Sequence, residues 1–459
     1  MGKKKKQKIF GIFRGTEKGY GFIEFEEERK EDAFVPEKYV GSALNGDKVE
    51  IKIICEKQKD KKAEAKILKV VQREKETVVG TFQKSKSFGF VVPDDKKFGT
   101  DIFISKKKTK NAKNQDKVIA KITKYPERGK NAEGEIVEIL GNINDAGVDM
   151  VSVIKEFDLP NEFPEAVLKE ARAINQDIIE KDAKNRVDLR DKANMNIFTI
   201  DGEDAKDLDD AIHVEKAENG NYLLDVHIAD VSYYVKSGSP IDKEAVYRGT
   251  SIYMFDRVIP MLPVELSNGI CSMNAGQDRF ALSCSMEIDE NGKVVASDVY
   301  KSIVCVTERM TYTNVNKILN GLDEKIIKRY EKYVQDFKLM EELAHVLKKR
   351  REKAGYLNLD IPESKIVLDK DGRAVDVHKY EMTFANEIIE QFMLIANETI
   401  AEKFYWLEFP FIYRVHEEPD IDKVKELNSF LWNLGYKIQI HQNEVHPLEF
   451  ARVLEEVKR

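Results

Sequence analysis

The sequence predicts an α+β chain of several domains, with two small β-barrels in front and a mixed α/β domain behind. Three observations lead to this fold class. A strand pattern occurs twice before residue 141, segments with helical periodicity dominate after residue 318, and acidic residues cluster between two apolar strands near residue 200. A chain of 459 residues is long enough to form several hydrophobic cores.

Short strands with alternating apolar and polar residues fill the first 54 positions. Glycine stands beside an aromatic residue at Gly21, and we expect this pair to leave flat rings on one face with nothing bulky between them. Such a face is a platform on which bases can stack. The predicted strands are residues 10–13, 19–25, 33–35 and 47–53.

The same pattern returns further along the chain, in residues 79–82, 87–91, 101–104 and 116–122. Both copies resemble cold-shock domains, which are OB-fold barrels that bind single-stranded nucleic acid. We therefore place one barrel at residues 9–72 and a second at 73–141. Residues 1–8 form a basic arm near RNA.

The resemblance to cold-shock domains implies which side chains contact RNA. Phenylalanines would stack on bases, and a lysine loop would contact phosphates without reading sequence. For each ring, the alternative is a place in the barrel core. The expected residues are Phe22, Phe34, Phe88, Phe90 and Phe103, with Lys106, Lys107 and Lys108 in the loop.

Charge is distributed unevenly between the two parts of the chain. Residues 1–150 carry 34 basic and 25 acidic side chains, a net charge of +9, and the remainder carries −16. This difference suggests polyanion binding in front and metal chemistry behind, although a mere difference in surface composition would look the same. The four cysteines form no CxxC pair, and no apolar run approaches about 18 residues, so we expect a cytoplasmic protein that does not bind membranes.

A connector is predicted between the barrels and the acidic cluster. Residues 142–185 contain Gly147, Pro160 and Pro164 as interruptions, followed by a helix over residues 165–180. We expect residues 186–459 to form one further domain.

The acidic cluster itself reads T-I-D-G-E-D-A-K-D-L-D-D-A-I over residues 199–212. Carboxylates so close together raise one another's pKa or recruit cations. Mg²⁺ prefers oxygen ligands and keeps several waters, which suits metal-assisted phosphodiester cleavage. One alternative is an acidic surface loop. A calcium loop of the EF-hand kind fits poorly, because Lys206 and Ile212 occupy its glycine and glutamate positions.

The frame T-I-D-x-x-x-A-x-D-L-D-D-A resembles the signature of the ribonuclease II / ribonuclease R family. The resemblance implies an RNB-type domain that hydrolyses single-stranded RNA from its 3′ end to 5′-mononucleotides with Mg²⁺. It further implies a monomer that needs no small-molecule cofactor. By this resemblance Asp201, Asp207 and Asp210 hold or position the metal, and Asp209 is the residue that catalysis can least lose.

Later segments also resemble the family and extend the expected site. They imply that Tyr253 stacks near the RNA 3′ end and that Arg248 and Arg257 contact phosphates. They also place Glu390, on a helix over residues 383–404, near the terminal nucleotide. The alternative to RNA contact is that Tyr253 packs against other side chains and that Glu390 is solvated. We expect His227 to have a structural role.

The family pattern also includes a Ser-Pro-Ile-Arg-Arg-Tyr-like segment, whose arginine supports the transition state, and a C-terminal S1 domain. Neither is found in these 459 residues, so we expect a C-terminally truncated member of the family. Two other functions stay open. One is an RNA-binding or chaperone protein with little nuclease activity, and the other is an endonuclease that cuts internally.

Overall fold

The computed structural model describes residues 8–25, 31–57, 62–127, 130–190, 192, 195–357, 361–442 and 444–458. Except for Lys8, the predicted basic arm at residues 1–8 lies outside this part of the chain. The chain divides into two compact units. The first comprises Met1–Glu162, Tyr253–Ile259 and Ile366–Asp376, and the second comprises Phe163–Ile252, Pro260–Lys365 and Val377–Arg459.

The first barrel is a closed sheet of five strands. They are β1 (Ile9–Gly15), β2 (Gly21–Glu24), β3 (Ala33–Val35), β4 (Lys48–Cys55) and β5 (Glu64–Gln72). Their order around the barrel is β1-β2-β3-β5-β4, and only the β3–β5 pair among these neighbours is parallel. Inward-facing apolar side chains such as Phe13, Ile23 and Val49 fill the interior.

The second barrel repeats this topology. Its strands are β6 (Thr77–Lys84), β7 (Phe88–Pro93), β8 (Ile102–Ser105), β9 (Asp116–Lys124) and β10 (Ala132–Asn142). The order is β6-β7-β8-β10-β9, with β8 and β10 parallel. The five-stranded, partly parallel arrangement is that of an OB-fold, so the internal repeat predicted from sequence is confirmed.

The strand glycines serve a different purpose from the one we expected. A Cβ atom at Gly21 would lie 2.4 Å from the ring of Phe13, and one at Gly89 would lie 2.3 Å from the ring of Phe82. Phe13 and Phe82 are core residues. Glycine therefore makes room for a ring inside each barrel, and the expectation that it clears space between the outer rings was wrong.

We predict that Gly89→Ala lowers the free energy of unfolding by about 1–3 kcal/mol, because the new methyl group overpacks the core against Phe82. Urea denaturation measures this loss. Ser87→Ala, at an exposed position in the turn before β7, should stay within about 0.5 kcal/mol of the parent chain. Equal stability of the two variants would contradict the role assigned to Gly89.

The connector contains three helices: α1 (Val148–Glu156), α2 (Glu165–Ala173) and α3 (Glu180–Ala183). The prediction of a single helix over residues 165–180 is wrong beyond Ala173, where α2 ends. The backbone becomes extended at Ile174, and the Oδ1 atom of Asn175 accepts the amide of Asp177. Asparagine competes in this way with helical hydrogen bonding, and apolar periodicity alone does not reveal it.

A seven-stranded mixed sheet forms the centre of the second unit. Its strands are β11 (Val187–Asp188), β12 (Phe198–Asp201), β13 (Asp210–Lys216), β14 (Tyr222–Ala229), β17 (Asp278–Ile288), β18 (Val294–Cys305) and β19 (Glu308–Thr311), in the order β11-β18-β17-β14-β13-β12-β19. The edge strands β11 and β19 pair in parallel with their neighbours. Two separate strand pairs are β15 (Ile252–Tyr253) with β16 (Val258–Ile259), and β20 (Ser364–Leu368) with β21 (Ala374–Lys379).

Helices cover both faces of this sheet. The further helices of the second unit are α4 (Val231–Tyr234), α5 (Pro240–Arg248), a π-helix (Glu265–Ile270), α6 (Tyr312–Leu319), α7 (Glu324–Arg329), α8 (Val334–Lys353), α9 (Phe384–Trp406), α10 (Ile421–Trp432) and α11 (Pro447–Lys458). Of these, α10 and α11 contribute to a separate small cluster around Val424, Ile438 and Val453. One sheet face packs against α6, α8 and α9, and the other against α2, α5 and the π-helix. The predicted helix over residues 383–404 is confirmed as α9, which Thr383 and Asn386 cap.

No helix within the described part of the chain is long and apolar enough to cross a membrane. All four cysteines are described residues, and within the described part of the chain none of them forms a disulfide.

Candidate active site

The acidic motif forms the loop between the neighbouring strands β12 and β13. Strand β12 ends at Asp201 and β13 begins at Asp210, and the two strands pair antiparallel through Phe198 and Ile212. Because β12 ends beside the start of β13, Asp201 and Asp210 lie close together at the same end of these two neighbouring strands. The loop of residues 202–209 adds Asp207 and Asp209.

Hydrogen bonds from distant segments hold the second half of this loop. The hydroxyl of Ser272 donates to the carbonyl of Lys206 at 2.8 Å and accepts the amide of Leu208 at 3.1 Å. The amide of Met273 donates to the carbonyl of Leu208, and the amide of Ala229 donates to the carbonyl of Asp209. Since Leu208 is also buried, the loop is fixed on both sides of Asp207.

Arg309 holds the first half of the loop. Its Nη2 atom donates to the carbonyls of Glu203, at 3.1 Å, and Ala205, at 2.6 Å. Arg309 lies on β19 directly opposite Thr199 of β12. We did not identify Arg309 from the sequence, because it is about a hundred positions from the motif and only the pairing of the two strands brings it there.

The four aspartates influence one another electrostatically. Burial and the charge of Asp210 raise the pKa of Asp201 to about 6, and burial and the charge of Asp209 raise the pKa of Asp210 to about 6. Crowding by protein atoms and the charge of Asp207 also raise the pKa of Asp209. A cluster in which each carboxylate disfavours ionisation of its neighbours is one that a bound cation would stabilise.

The donor set fits a hard divalent cation. All four candidates offer carboxylate oxygens, and Oδ2 of Asp201 is buried without a hydrogen-bond partner in the part of the chain that the structure describes. Mg²⁺ keeps several waters and needs few protein ligands. Among the described residues, however, no three His, Cys, Asp or Glu side chains converge into a complete ligand group. The metal roles of Asp201, Asp207 and Asp210 therefore stay predictions.

Tyr312 also lies next to the acidic cluster, which we did not expect from the sequence. Burial, together with the charges of Asp201 and Asp210, raises the pKa of its hydroxyl. Tyr312 is the first residue of α6, directly after β19. No local pattern in the sequence distinguishes it from the other tyrosines of the chain.

Two expected RNA contacts in the second unit already have protein partners. The buried guanidinium of Arg248 donates to Glu244 and to the carbonyl of Pro260, and it lies 3.6 Å from the ring centre of Phe163. Glu390 accepts a hydrogen bond of 3.4 Å from the hydroxyl of Tyr356. Contacts of Arg248 and Glu390 with RNA stay predictions.

His227 has the structural role that we expected. It is fully buried in β14, and its Nδ1 atom lies 2.7 Å from the hydroxyl oxygen of Ser283 on β17. Burial lowers the pKa of its imidazole to about 3, so His227 is neutral at physiological pH.

In the first unit, the expected base-stacking rings form one cluster on each barrel. Ring centres are 5.7 Å apart for Phe22 and Phe34, and 5.6 Å apart for Phe88 and Phe103. All five expected phenylalanines are half-buried, in contrast to the fully buried core rings. Phe90 completes the second cluster, and Tyr20, which we did not expect from the sequence, completes the first.

The other residues of the first unit that we expect to contact RNA have polar or exposed side chains. Lys106 and Lys107 are exposed on a 3₁₀ turn, while Lys108 forms an ion pair with Glu135. The ring of Tyr253 is 66% exposed. Arg257 donates two hydrogen bonds to Asp256. Their RNA contacts also stay predictions.

Comparison with known protein families gives three matches. Residues 11–70 match the Ribonuclease B OB domain, residues 90–164 match the Cold shock domain, and residues 186–459 match the RNB domain. These matches fall on the two barrels and on the unit that contains the acidic loop.

Relatives and solved structures give the same result. Ribonuclease R of Thermotoga maritima is 47% identical over 396 residues, which are 86% of this chain and 55% of that protein. The structure of Mycoplasma genitalium RNase R in complex with ribose methylated single-stranded RNA superposes with a TM-score of 0.88 at 27% identity. The superposition covers 98% of this chain and 70% of the Mycoplasma genitalium chain.

The yeast pseudonuclease Ssd1 shares the fold, with a TM-score of 0.68 at 17% identity over 98% of this chain and 61% of its own. This chain spans about half the length of the ribonuclease R proteins that it matches. The RNB domain match alone covers more than half of the residues, and the chain therefore belongs to the RNB family, among proteins similar to ribonuclease R.

Proposed function

We propose that this chain is a hydrolytic 3′-to-5′ exoribonuclease that degrades single-stranded RNA to 5′-mononucleotides with Mg²⁺. The observation that carries the proposal is the group of four aspartates in the segment from the end of β12 to the start of β13. Burial, together with repulsion by neighbouring aspartates, disfavours the negative charges of Asp201 and Asp210, and a bound cation would stabilise those charges. In this proposal the barrels at residues 9–72 and 73–141 bind RNA. Residues 142–185 connect them to a catalytic domain at 186–459.

The four aspartates would have different roles. Asp201, Asp207 and Asp210 would hold Mg²⁺, which when bound lowers the pKa of a coordinated water and neutralises phosphate charge. The side chain of Asp209 is exposed, and its carbonyl is fixed by the amide of Ala229. Its carboxylate can therefore face the scissile phosphate and orient the attacking water.

The aromatic clusters would admit single strands, because unpaired bases can stack on the rings and paired bases cannot. The complex of Mycoplasma genitalium RNase R with single-stranded RNA supports this substrate. We further propose that the chain acts as a monomer in the cytoplasm and needs no small-molecule cofactor.

Digestion of a 5′-labelled single-stranded RNA tests the proposal. With Mg²⁺ we expect a ladder that collapses to a short 5′ product, with EDTA we expect intact RNA, and a circular RNA should remain uncut. Internal cuts in the circle would indicate an endonuclease. Tight binding with no degradation under either condition would favour an RNA-binding protein, because one fold can host different functions.

The role of the barrels is tested through the rings of the second cluster. We expect Phe88→Ala and Phe103→Ala each to weaken binding of single-stranded RNA by about 1–3 kcal/mol, because each removes one stacking surface. Fluorescence anisotropy with a labelled RNA measures the affinity. Phe157→Ala removes an exposed ring outside either cluster and should leave binding unchanged. Equal effects of all three changes would exclude specific stacking on this cluster.

A further inference from the structure

Arg309 contacts the acidic loop through main-chain oxygens only. Its Nη2 atom donates to two carbonyls of the loop, those of Glu203 and Ala205. In the part of the chain that the structure describes, Arg309 forms no ion pair with a carboxylate. Its guanidinium therefore acts on the path of the loop backbone.

The residues that follow Arg309 reinforce this contact. The hydroxyls of Thr313 and Thr311 lie close enough to the carboxylate of Glu203 to lower its pKa, and Thr313 has the larger effect. Thr311 is also paired with Asp201 across β19 and β12. Residues 309–313 thus hold the first half of the loop by its main chain and by a side chain.

Among the described residues, one buried donor atom and one buried acceptor atom near the first half of the loop have no hydrogen-bond partner. They are Nε of Arg309 and Oδ2 of Asp201. The positive charge of Arg309 favours the ionised form of Asp201, although burial and the neighbouring aspartates outweigh it. The structure keeps the two groups near each other without pairing them, which leaves Oδ2 available to a cation.

From these contacts we infer that Arg309 is the positioning residue of the metal loop. By fixing the carbonyls of Glu203 and Ala205, it sets the directions in which Asp201 and Asp207 present their carboxylates. This inference rests on the proposed metal-dependent function. Arginine suits the role because its guanidinium is rigid and planar, so that the two N–H groups of Nη2 point in fixed directions toward the two carbonyls, whereas a lysine ammonium is a point charge on a flexible stem.

A positioning role and a purely electrostatic role predict opposite results. If Arg309 acted only as a positive charge, its removal would strengthen cation binding, because a like charge would be lost from the site. If it positions the loop, its removal weakens cation binding. Residues that orient metal ligands typically contribute about 10- to 100-fold to metal affinity.

The test uses the 459-residue chain, Arg309→Gln and Arg309→Lys, with Mn²⁺ as an EPR-visible probe of the metal site. We expect both variants to bind Mn²⁺ about tenfold or more weakly than the parent chain. Hydrogen exchange, measured without metal, should be about tenfold faster in a peptide covering residues 202–209 and unchanged in one from β14. Arg452→Gln, which removes a donor to the carbonyl of Lys437, is the matched control and should change neither measurement.

Unchanged or tighter Mn²⁺ binding by Arg309→Gln, with unchanged exchange of the loop, would overturn the inference. Weak binding by Arg309→Gln with parent-like binding and loop exchange in Arg309→Lys would overturn the part assigned to the planar guanidinium, because a single ammonium would then hold the two carbonyls equally well. A parent chain that binds no Mn²⁺ would refute the proposed metal site instead. In that case the exchange of residues 202–209 still decides whether Arg309 positions the loop.

Discussion

Asp209→Asn is expected to reduce RNA hydrolysis by about a thousandfold or more while RNA binding is retained. The substitution keeps the size of the side chain but removes the carboxylate that we place against the attacking water, and the loss of one such group commonly has this effect. Affinity for RNA should be equal or slightly higher, because a negative charge next to a polyanion disappears. Single-turnover digestion and anisotropy with the same RNA measure the two quantities.

Asp204→Asn is the matched control for this prediction. Asp204 lies in the same loop and is exposed, but it is not one of the four aspartates of the family signature. Its change should leave the rate within about twofold of the parent. The metal-free Asp209→Asn chain should be at least as stable as the parent, since the pKa of Asp209 is raised and its charge is therefore unfavourable in the fold. Parent-like digestion by Asp209→Asn would show that the roles are wrongly assigned.

Features encoded in short stretches of sequence were predictable. The two barrels were visible because each strand alternates at period two and the whole pattern recurs, and helix α9 was visible because it is long and strongly periodic. Strand β5 was not visible. Its apolar residues Leu68 and Val71 are about half exposed, so the alternation that marks a strand is lost there.

The residues of the candidate site also differ in whether the sequence alone could predict them. Its four aspartates fall within ten consecutive positions, so the sequence alone brought them together. Ser272, Arg309 and Tyr312 reach the same place only because β12 pairs with β19 and the segment after the π-helix returns to the loop. Such partners depend on tertiary structure, and no periodicity or spacing in a single sequence indicates them.

Asp230→Asn is expected to lower the free energy of unfolding of the second unit by about 3–5 kcal/mol. Asp230 directly follows β14, the strand that pairs with β13 beside the acidic loop, and it forms an ion pair with Arg186 in which both side chains are almost fully buried. Arg186 also donates to the carbonyls of Ala281 and Ser302 and packs on the ring of Phe280. The guanidinium cannot reach water when its partner is neutralised, and an uncompensated buried charge has a penalty of this size.

The pH dependence distinguishes loss of this ion pair from a general packing defect. Burial alone would raise the pKa of Asp230, but hydrogen bonds from Arg186 and Ser232 lower it below its usual value. The pair therefore stabilises the fold above about pH 4, and that contribution is lost as the pH falls through the folded-state pKa. Urea denaturation should show this acid-induced loss in the parent and not in Asp230→Asn.

Glu398→Gln, which breaks an exposed ion pair with Arg350, is the control and should lower the free energy of unfolding by less than about 1 kcal/mol at any pH. An equally small effect of Asp230→Asn would mean that Arg186 finds other compensation, and that the pair does not anchor the strand beside the acidic loop.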